Sequence, residues 1–252
     1  MSYLIDYLIN LAASFTFVLV VIVFGWILIR RKRKRLLLFF GVKESGRLNL
    51  WFSLLRIIPG GAIGADGAPR SFGGNALPSG ELEFLPLYQR LFNYIVPALQ
   101  EQPGFWRNIL LSDLQIEAAP SPVNPADVQR SSSLVSFGSP GYNSVSFWVE
   151  NSLQSLGHFI QQNSAIELSG VPQFADPLDG FVQRVRIGDG PAVAFYVAGM
   201  SEQATKASAY YLAAHWQLLQ GAFGNRQNFC IVLKADTGDY RKCVVLLERR
   251  ER

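Results

Sequence analysis

Residues that usually build metal and redox sites are scarce in this chain. Its 252 residues include two cysteines, Cys230 and Cys243, and two histidines, His158 and His215, without the spacing of a zinc site. The chain also lacks the phosphate loop G-x-x-x-x-G-K-[ST], the hydrolase elbow G-x-S-x-G and the zinc motif H-E-x-x-H. We therefore expect no metal, identify no cofactor, and interpret the cysteines as reduced packing residues.

Charge is sparse and unevenly placed. Charged residues make up 17% of the chain against 49% hydrophobic ones, and the formal net charge is +4. Six of the 23 basic residues form the run "RRKRKR", which leaves 17 basic against 19 acidic residues elsewhere. A nucleic-acid footprint needs basic side chains spread over a folded face, so we expect no nucleic acid partner.

One long stretch carries no charge at all. The 23 residues "YLINLAASFTFVLVVIVFGWILI" lie between Asp6 and Arg30. A helix of this length rises about 35 Å, enough to cross a bilayer core of about 30 Å. The alternatives are a cleaved signal peptide and a buried core helix, but the block is too long for a signal peptide and its basic residues follow it. We predict a single membrane-spanning helix, with the lipid bilayer as its partner.

The basic run after the span predicts its orientation. Lys and Arg beside a span stay in the cytoplasm, so the N-terminus should face outward and the domain inward. The same side chains are candidates for binding anionic headgroups. No G-x-x-x-G face marks the span, so oligomerisation is left open. The run comprises Arg30, Arg31, Lys32, Arg33, Lys34 and Arg35.

The chain divides into three predicted segments: an anchor over residues 1–35, a juxtamembrane connector over 36–46, and one cytoplasmic domain over 47–252. The apolar start of the connector is expected to lie in the headgroup region. The segment over residues 59–80 contains seven glycines and three prolines, and we interpret it as a loop that is either a ligand-covering flap or a mobile excursion. Within the domain we predict a strand over 47–58, with helix as the competing assignment, that loop over 59–80 and a helix over 81–99. Residues 106–119 are predicted as a strand with a bulge, with a short helix as the alternative.

The stretch "LVSFGSPGYN" has the layout of a strand, a turn and a helix start. Residues 134–137 have the apolar character of a strand buried on both faces, which is typical of parallel sheets. Loops at the carboxyl ends of parallel strands open onto ligand crevices. Gly138, Ser139 and Gly141 are candidates to let a ligand approach the main chain. Asn143 is expected either to cap the next helix or to bond a base or ribose edge.

A second unit of the same layout follows in "PAVAFYVAGMSEQATKASAYYL". A buried strand is predicted over 192–197, Gly199 ends it, and Ser201 is the expected N-cap of an alanine-rich helix. The two loops are expected to face each other across one crevice, one near phosphates and the other near sugar or base.

Together these two stretches resemble Rossmann-like modules of bacterial membrane-anchored proteins, similar in layout to TIR and nucleoside deoxyribosyltransferase-like domains. The resemblance implies handling of NAD or nucleosides, with a glutamate at the crevice attacking or stabilising the ribosyl centre. Glu150 and Glu81 are the candidates for that glutamate. Glu150 lies about two turns into its helix, too deep for a ligand at the helix start.

The remaining segments complete the predicted fold. "GFVQRVRIG" and "NFCIVLKADTGDYRKCVVLLE" predict one further strand and a C-terminal antiparallel hairpin, on which Cys230 and Cys243 are possible neighbours. We expect an α/β fold: a Rossmann-like, mostly parallel sheet flanked by helices, with this hairpin at its edge. Three functions are consistent with it, namely a tethered module binding a nucleotide-like ligand, a nucleoside- or NAD-processing enzyme, and an assembly factor without a small ligand. The first is preferred, with a role in signalling.

Overall fold

The structure is a computed structural model that describes residues 2–43, 46–53, 62–63, 69–70, 79–92, 115–122, 132–160, 165–168 and 171–251. Most of the predicted loop over 59–80 lies outside these residues, as do residues 54–58, 93–99 and 106–114 of the elements predicted around it.

Five helices and twelve strands make up the described chain. The helices are α1 (Ser2–Phe39), α2 (Ser79–Leu82), α3 (Phe84–Phe92), α4 (Ser144–Ser152) and α5 (Glu202–Phe223). The first strands are β1 (Arg47–Phe52), β2 (Ala62–Ile63), β3 (Pro69–Arg70), β4 (Gln115–Pro120), β5 (Ser133–Phe137) and β6 (Gly157–Ile160). The others are β7 (Ala165–Leu168), β8 (Val171–Phe174), β9 (Asp179–Arg186), β10 (Val193–Gly199), β11 (Phe229–Ala235) and β12 (Cys243–Arg250).

A seven-stranded mixed sheet organises the domain in the order β12-β11-β9-β10-β5-β1-β4. The neighbours β4, β1, β5 and β10 are parallel, whereas β9, β11 and β12 are joined by antiparallel pairings. Five of the seven strands run in one direction. The α/β class is therefore confirmed, together with the C-terminal hairpin.

Antiparallel pairing extends further than the sequence indicated. The strand β9 lies between β10 and β11 and pairs antiparallel with both, so the hairpin joins the sheet through it. A separate antiparallel sheet, β6-β7-β8, was not predicted. Its strands have four residues each, and their pairing depends on neighbours that a local pattern does not reveal.

Each face of the main sheet has its own core. Along β10, Val193, Phe195 and Val197 point to the face covered by α3 and α5, while Tyr196 points to the face covered by α4. Because successive side chains of a strand alternate between faces, a strand buried on both faces reads as the continuous apolar run seen in the sequence. The runs at β5 and β10 are such strands, as predicted.

The end of α1 is part of the domain core. Phe39 and Phe40 are fully buried, and both rings contact Phe195 of β10. Leu36, Leu37 and Val42 are buried in the same cluster. The expectation that this segment lies among headgroups is thus not met, because its side chains fill the space between α5 and the sheet.

The upstream part of α1 has the opposite character. Phe15 and Phe17 are each 70% exposed, and the exposed apolar side chains continue to Ile29. α1 is long and apolar enough to cross a membrane.

The two cysteines are not neighbours. Cys230 is fully buried opposite Arg249, whereas Cys243 pairs with Ala235 at the other end of the hairpin. The register of β11 against β12 separates them, which the sequence alone did not specify. Burial raises the pKa of both thiols, most strongly that of Cys230, which suits a packing role.

Candidate functional site

The two predicted loops are neighbours at one edge of the sheet. β5 and β10 are paired in parallel, so Gly138 and Gly199 leave them at the same edge. The N–H of Gly138 donates to the carbonyl of Val197 at 2.9 Å. Both loops therefore lie at the carboxyl ends of the parallel strands, where α/β proteins bind their ligands.

Asn143 is committed to the protein itself. Its side-chain oxygen accepts from the N–H groups of Val145 and Ser146, at 2.9 and 3.3 Å, which makes it the N-cap of α4. Its amide nitrogen donates to the carbonyls of Trp51 and Phe137, at 3.0 and 2.8 Å. The cap is one of its two predicted roles. Because Asn143 is fully buried and both amide groups are used, the geometry gives no support to the other.

Gly138 is required by packing. Its φ of +90° is strained for residues other than glycine, and a Cβ there would lie 2.1 Å from Ser53 Oγ and 2.8 Å from Glu81 Oε1. The space beside its backbone is thus occupied by two polar side chains. Ser139 is half-buried and its carbonyl accepts from Asn143, while Gly141 is buried.

Gly199 and Ser201 shape the start of α5. A Cβ on Gly199 would lie 2.5 Å from the Cβ of Ala204, so the glycine lets the helix approach the sheet. Ser201 is the N-cap, as predicted, because its hydroxyl accepts from the N–H of Ala204 at 3.2 Å. The exposed Glu202 forms an ion pair with Lys206 at 3.1 Å. This helix start already carries a capping hydroxyl and a carboxylate.

Glu81 lies between the ends of β1 and β5. Its Oε2 accepts from the N–H of Ser53 at 2.7 Å, and Ser53 Oγ donates to the carbonyl of Phe137 at 3.1 Å. Ser53 follows β1 and Phe137 ends β5. Glu81 is 6% exposed, and burial raises its pKa to about 7, helped by nearby Glu202 and opposed by the hydrogen bonds from Ser53.

This position is where the connections of the sheet diverge. The next described helices after β1 are α2 and α3, which follow the short strands β2 and β3, and α3 packs on the α5 face through Phe84 and Tyr88. After β5 it enters α4, which packs on the opposite face through Val145 and Trp148. A crevice between two adjacent parallel strands whose connections leave to opposite faces is the usual ligand position in open α/β sheets.

Glu150 lies on the α4 face, apart from this edge. Its Oε1 accepts from the hydroxyl of Tyr196 at 2.8 Å and from the N–H of Phe159 at 3.1 Å. Burial raises its pKa to about 7, and these two hydrogen bonds oppose the rise. Glu150 thus connects α4 to β10 and to the small sheet, so the two candidate glutamates are not brought together.

Two serines of the site, Ser53 and Ser146, were not predicted from the sequence. Ser53 directly follows the apolar run of β1, the same local signal that selected Gly138. Ser146 Oγ donates to the carbonyl of Gly138 at 2.7 Å and contacts Ser136 Oγ at 2.8 Å. No sequence pattern predicts the role of Ser146, because its hydrogen bond depends on how the carbonyl of Gly138 is oriented toward α4.

The basic run lies on α1 directly before the residues of that helix that pack into the domain core. Its side chains are exposed except Arg33, which is half-buried, and the guanidinium of Arg30 lies 5.1 Å from the ring centroid of Trp26. The carbonyl of Arg35 accepts from Gln220 of α5 at 3.0 Å. This region lies at the amino ends of the parallel strands, because Gly41 contacts Ser133 at the start of β5.

The fold defines the chain as an α/β protein with an apolar N-terminal helix long enough to cross a membrane. Comparison with protein-family models, with curated proteins and with solved structures found no match. The resemblance to TIR and nucleoside deoxyribosyltransferase-like domains therefore stays a prediction.

Proposed function

We propose that this protein is a membrane-anchored cytoplasmic module, Rossmann-like in layout, that binds a nucleoside-like or nucleotide-like small molecule between the ends of β1 and β5. The observation that carries the proposal is the position of Glu81. Glu81 is a buried carboxyl group whose pKa is raised to about 7, and it lies between the ends of two parallel strands, a position where open α/β sheets usually bind ligands.

The chemistry of this edge favours sugar hydroxyls over phosphate at Glu81. Glu81, Glu83 and Glu202 lie close together around the start of α5, with Lys206 paired to the latter two. Acidic side chains oppose a phosphate but accept hydrogen bonds from hydroxyl groups. A ribose would thus face Glu81, and any phosphates of the ligand would point away from it.

The anchor supports a fixed orientation of this module. With α1 across the bilayer, the positive-inside rule puts the run Arg30 to Arg35 and the domain in the cytoplasm. The parallel strands begin beside the end of α1 and finish at Glu81, so the proposed ligand edge faces away from the membrane. A soluble ligand reaches it without crossing the headgroup region.

A thermal-shift screen of the full chain in detergent tests the proposal. The ligands are nucleosides, nucleoside phosphates, cyclic nucleotides and NAD. A true ligand at one hundred times its dissociation constant stabilises the protein by about 2.7 kcal/mol. We expect the shift to be lost in Glu81→Gln and kept in Glu150→Gln, which removes a half-buried carboxylate on the other face. If no ligand shifts the wild-type chain, the assembly-factor function is preferred instead.

Cleavage of a glycosidic bond is the second candidate, and the raised pKa of Glu81 favours it. A carboxyl that titrates near neutral pH can exchange a proton with a leaving group at the pH of the cytoplasm. Release of nicotinamide from NAD, or of a free base from a nucleoside, is the measurement. Loss of that release in Glu81→Gln, at ligand concentrations raised until this variant is also saturated, would assign the chemistry to Glu81 if Glu150→Gln keeps the release. Binding without turnover in the wild type would leave the module a sensor.

A further inference from the structure

A cavity of about 240 Å³ lies at the junction of α1 with the domain, and Glu81 does not line it. Three helices form its walls, and the two cations in them come from the basic run. α1 contributes Ile29, Lys32 and Arg33, α3 contributes Leu91, and α5 contributes Ala214 and Trp216. The cavity is therefore cationic on the α1 side and mostly apolar on the others, where Gln217 of α5 adds a polar side chain.

The depth of this cavity relative to a bilayer follows from α1. The exposed aliphatic and phenylalanine side chains extend from Ile9 to Ile29, which spans about 30 Å at 1.5 Å per residue, and the exposed Tyr3 and Tyr7 precede them. This length matches a hydrocarbon core of about 30 Å. With α1 crossing the membrane, Ile29 lies at the hydrocarbon boundary, and Lys32 and Arg33 lie at the level of the lipid phosphates.

We propose that the cavity holds the headgroup of one anionic phospholipid. Its phosphate would contact Lys32 and Arg33, and its glycerol and upper acyl chain would pack against Ile29 and Leu91. The volume is below the range of sites that enclose a whole drug-sized ligand, so it suits a headgroup whose acyl chains stay in the bilayer. The proposal depends on α1 crossing the membrane and is independent of any ligand at Glu81.

The test uses the full chain in detergent micelles, titrated with phosphatidylglycerol or phosphatidylcholine and observed by native mass spectrometry. We expect one tightly retained phosphatidylglycerol per chain. The double variant Lys32→Gln/Arg33→Gln should weaken its retention at least tenfold, because both charge-assisted contacts with the lipid phosphate are lost. Arg31→Gln/Lys34→Gln removes the same charge from exposed positions that do not line the cavity, and should change retention less than threefold, about 0.65 kcal/mol.

A second variant separates the cavity from the charge of the whole run. Ala214 is exposed at the cavity wall, so Ala214→Trp fills the space without disturbing the core and keeps every cation. We expect it to lose the retained lipid as well. Equal losses in both charge variants, unchanged retention in Ala214→Trp, equal retention of phosphatidylcholine, or displacement of the lipid by millimolar inorganic phosphate would each overturn the proposal.

Discussion

The guanidinium of Arg184, on β9, lies over the ring of Phe39, the last residue of α1, with its Cζ 5.6 Å from the ring centroid. Arg184 is 1% exposed, and its Nη1 and Nη2 donate to the carbonyls of Gly224 and Asn225 beyond the end of α5. Burial, and secondarily the charge of Arg186, lowers its pKa to about 10, so it stays charged at neutral pH. This contact joins the apolar helix, the sheet and α5.

Removing the ring of Phe39 should therefore destabilise the domain. Truncation of a buried phenylalanine costs about 3–5 kcal/mol, and Phe39→Ala also removes the ring that faces Arg184. Urea denaturation of the full chain in detergent is the measurement. Phe17→Ala, on the same helix but 70% exposed, is the matched control and should leave the midpoint unchanged. Equal losses in the two variants would contradict the assignment of residue 39 to the core.

Two truncations should separate the anchor from the core. A chain lacking residues 1–35 loses the apolar span but keeps the buried side chains of residues 36–42. We expect it to stay folded and to leave the membrane fraction. A chain lacking residues 1–42 also loses five buried apolar side chains, each contributing about 1.5–3 kcal/mol. Their summed contribution is comparable with the whole stability of a domain, so we expect this chain not to fold.

Membrane fractionation and limited proteolysis of both truncated chains measure this difference. The longer deletion should be degraded rapidly while the shorter one resists. Persistent membrane association of the shorter deletion would argue against a single anchor, and resistance of the longer one would place the domain boundary after residue 42.

Neutralising the basic run should weaken the bias of orientation. With all six residues from Arg30 to Arg35 replaced by Gln, the apolar helix has no cluster of positive charge that favours the cytoplasmic side for one of its ends. We expect a mixed population in sealed vesicles, detected as protection of the C-terminal domain from added protease in only part of the molecules. The wild-type chain in the same vesicles is the reference. Unchanged sidedness would show that another feature sets the topology.

Replacing Asn143 should cost more than the loss of a simple helix cap. A cap contributes about 1 kcal/mol, and leaving the part-buried carbonyl of Trp51 without this donor adds about 1–3 kcal/mol, whereas the carbonyl of Phe137 keeps its hydrogen bond from Ser53. We therefore expect Asn143→Ala to lose about 2–4 kcal/mol in chemical denaturation. Asn151→Ala, on the exposed side of the same helix, should lose less than about 1 kcal/mol. Similar losses in the two variants would mean that the bridge contributes little.

Local signals carried most of what the sequence predicted correctly. The strands ending at Phe137 and Gly199, the caps Asn143 and Ser201, and the C-terminal hairpin each depend on residues within a few positions of one another. Apolar runs and capping residues report such short-range preferences directly.

Long-range contacts account for what was missed. The amide of Asn143 is saturated partly by the carbonyl of Trp51, 92 positions away. The composition of residues 36–40 is equally compatible with contact to lipid and with burial in a protein core. Their burial becomes evident only from long-range contacts such as that of Phe40 with Phe195. The closeness of Glu81 to Ser53 likewise depends on the packing of α2 at the end of β1.

The carboxyl of Glu81 should make the stability of the domain depend on pH. Its pKa is raised from an ordinary value of 4.5 to about 7, so between these values the folded state binds more protons than the unfolded state. Unfolding free energy then falls as pH rises. The contribution of this group is fully present below about pH 4.5 and is lost as pH passes through about 7.

Replacing this carboxyl by an amide should remove that slope. From pH 5 to pH 8 the unfolding free energy of the wild type should fall by about 2 kcal/mol more than that of Glu81→Gln, whose side-chain oxygen can still accept from Ser53. Urea denaturation of both full-length chains in the same detergent at the two pH values gives the comparison. Glu248→Gln, at an exposed position of β12, should keep the wild-type slope. If Glu81→Gln falls as steeply as the wild type, Glu81 is already ionised at pH 5 in the folded protein, and the proton exchange that glycosidic cleavage requires of it has no basis.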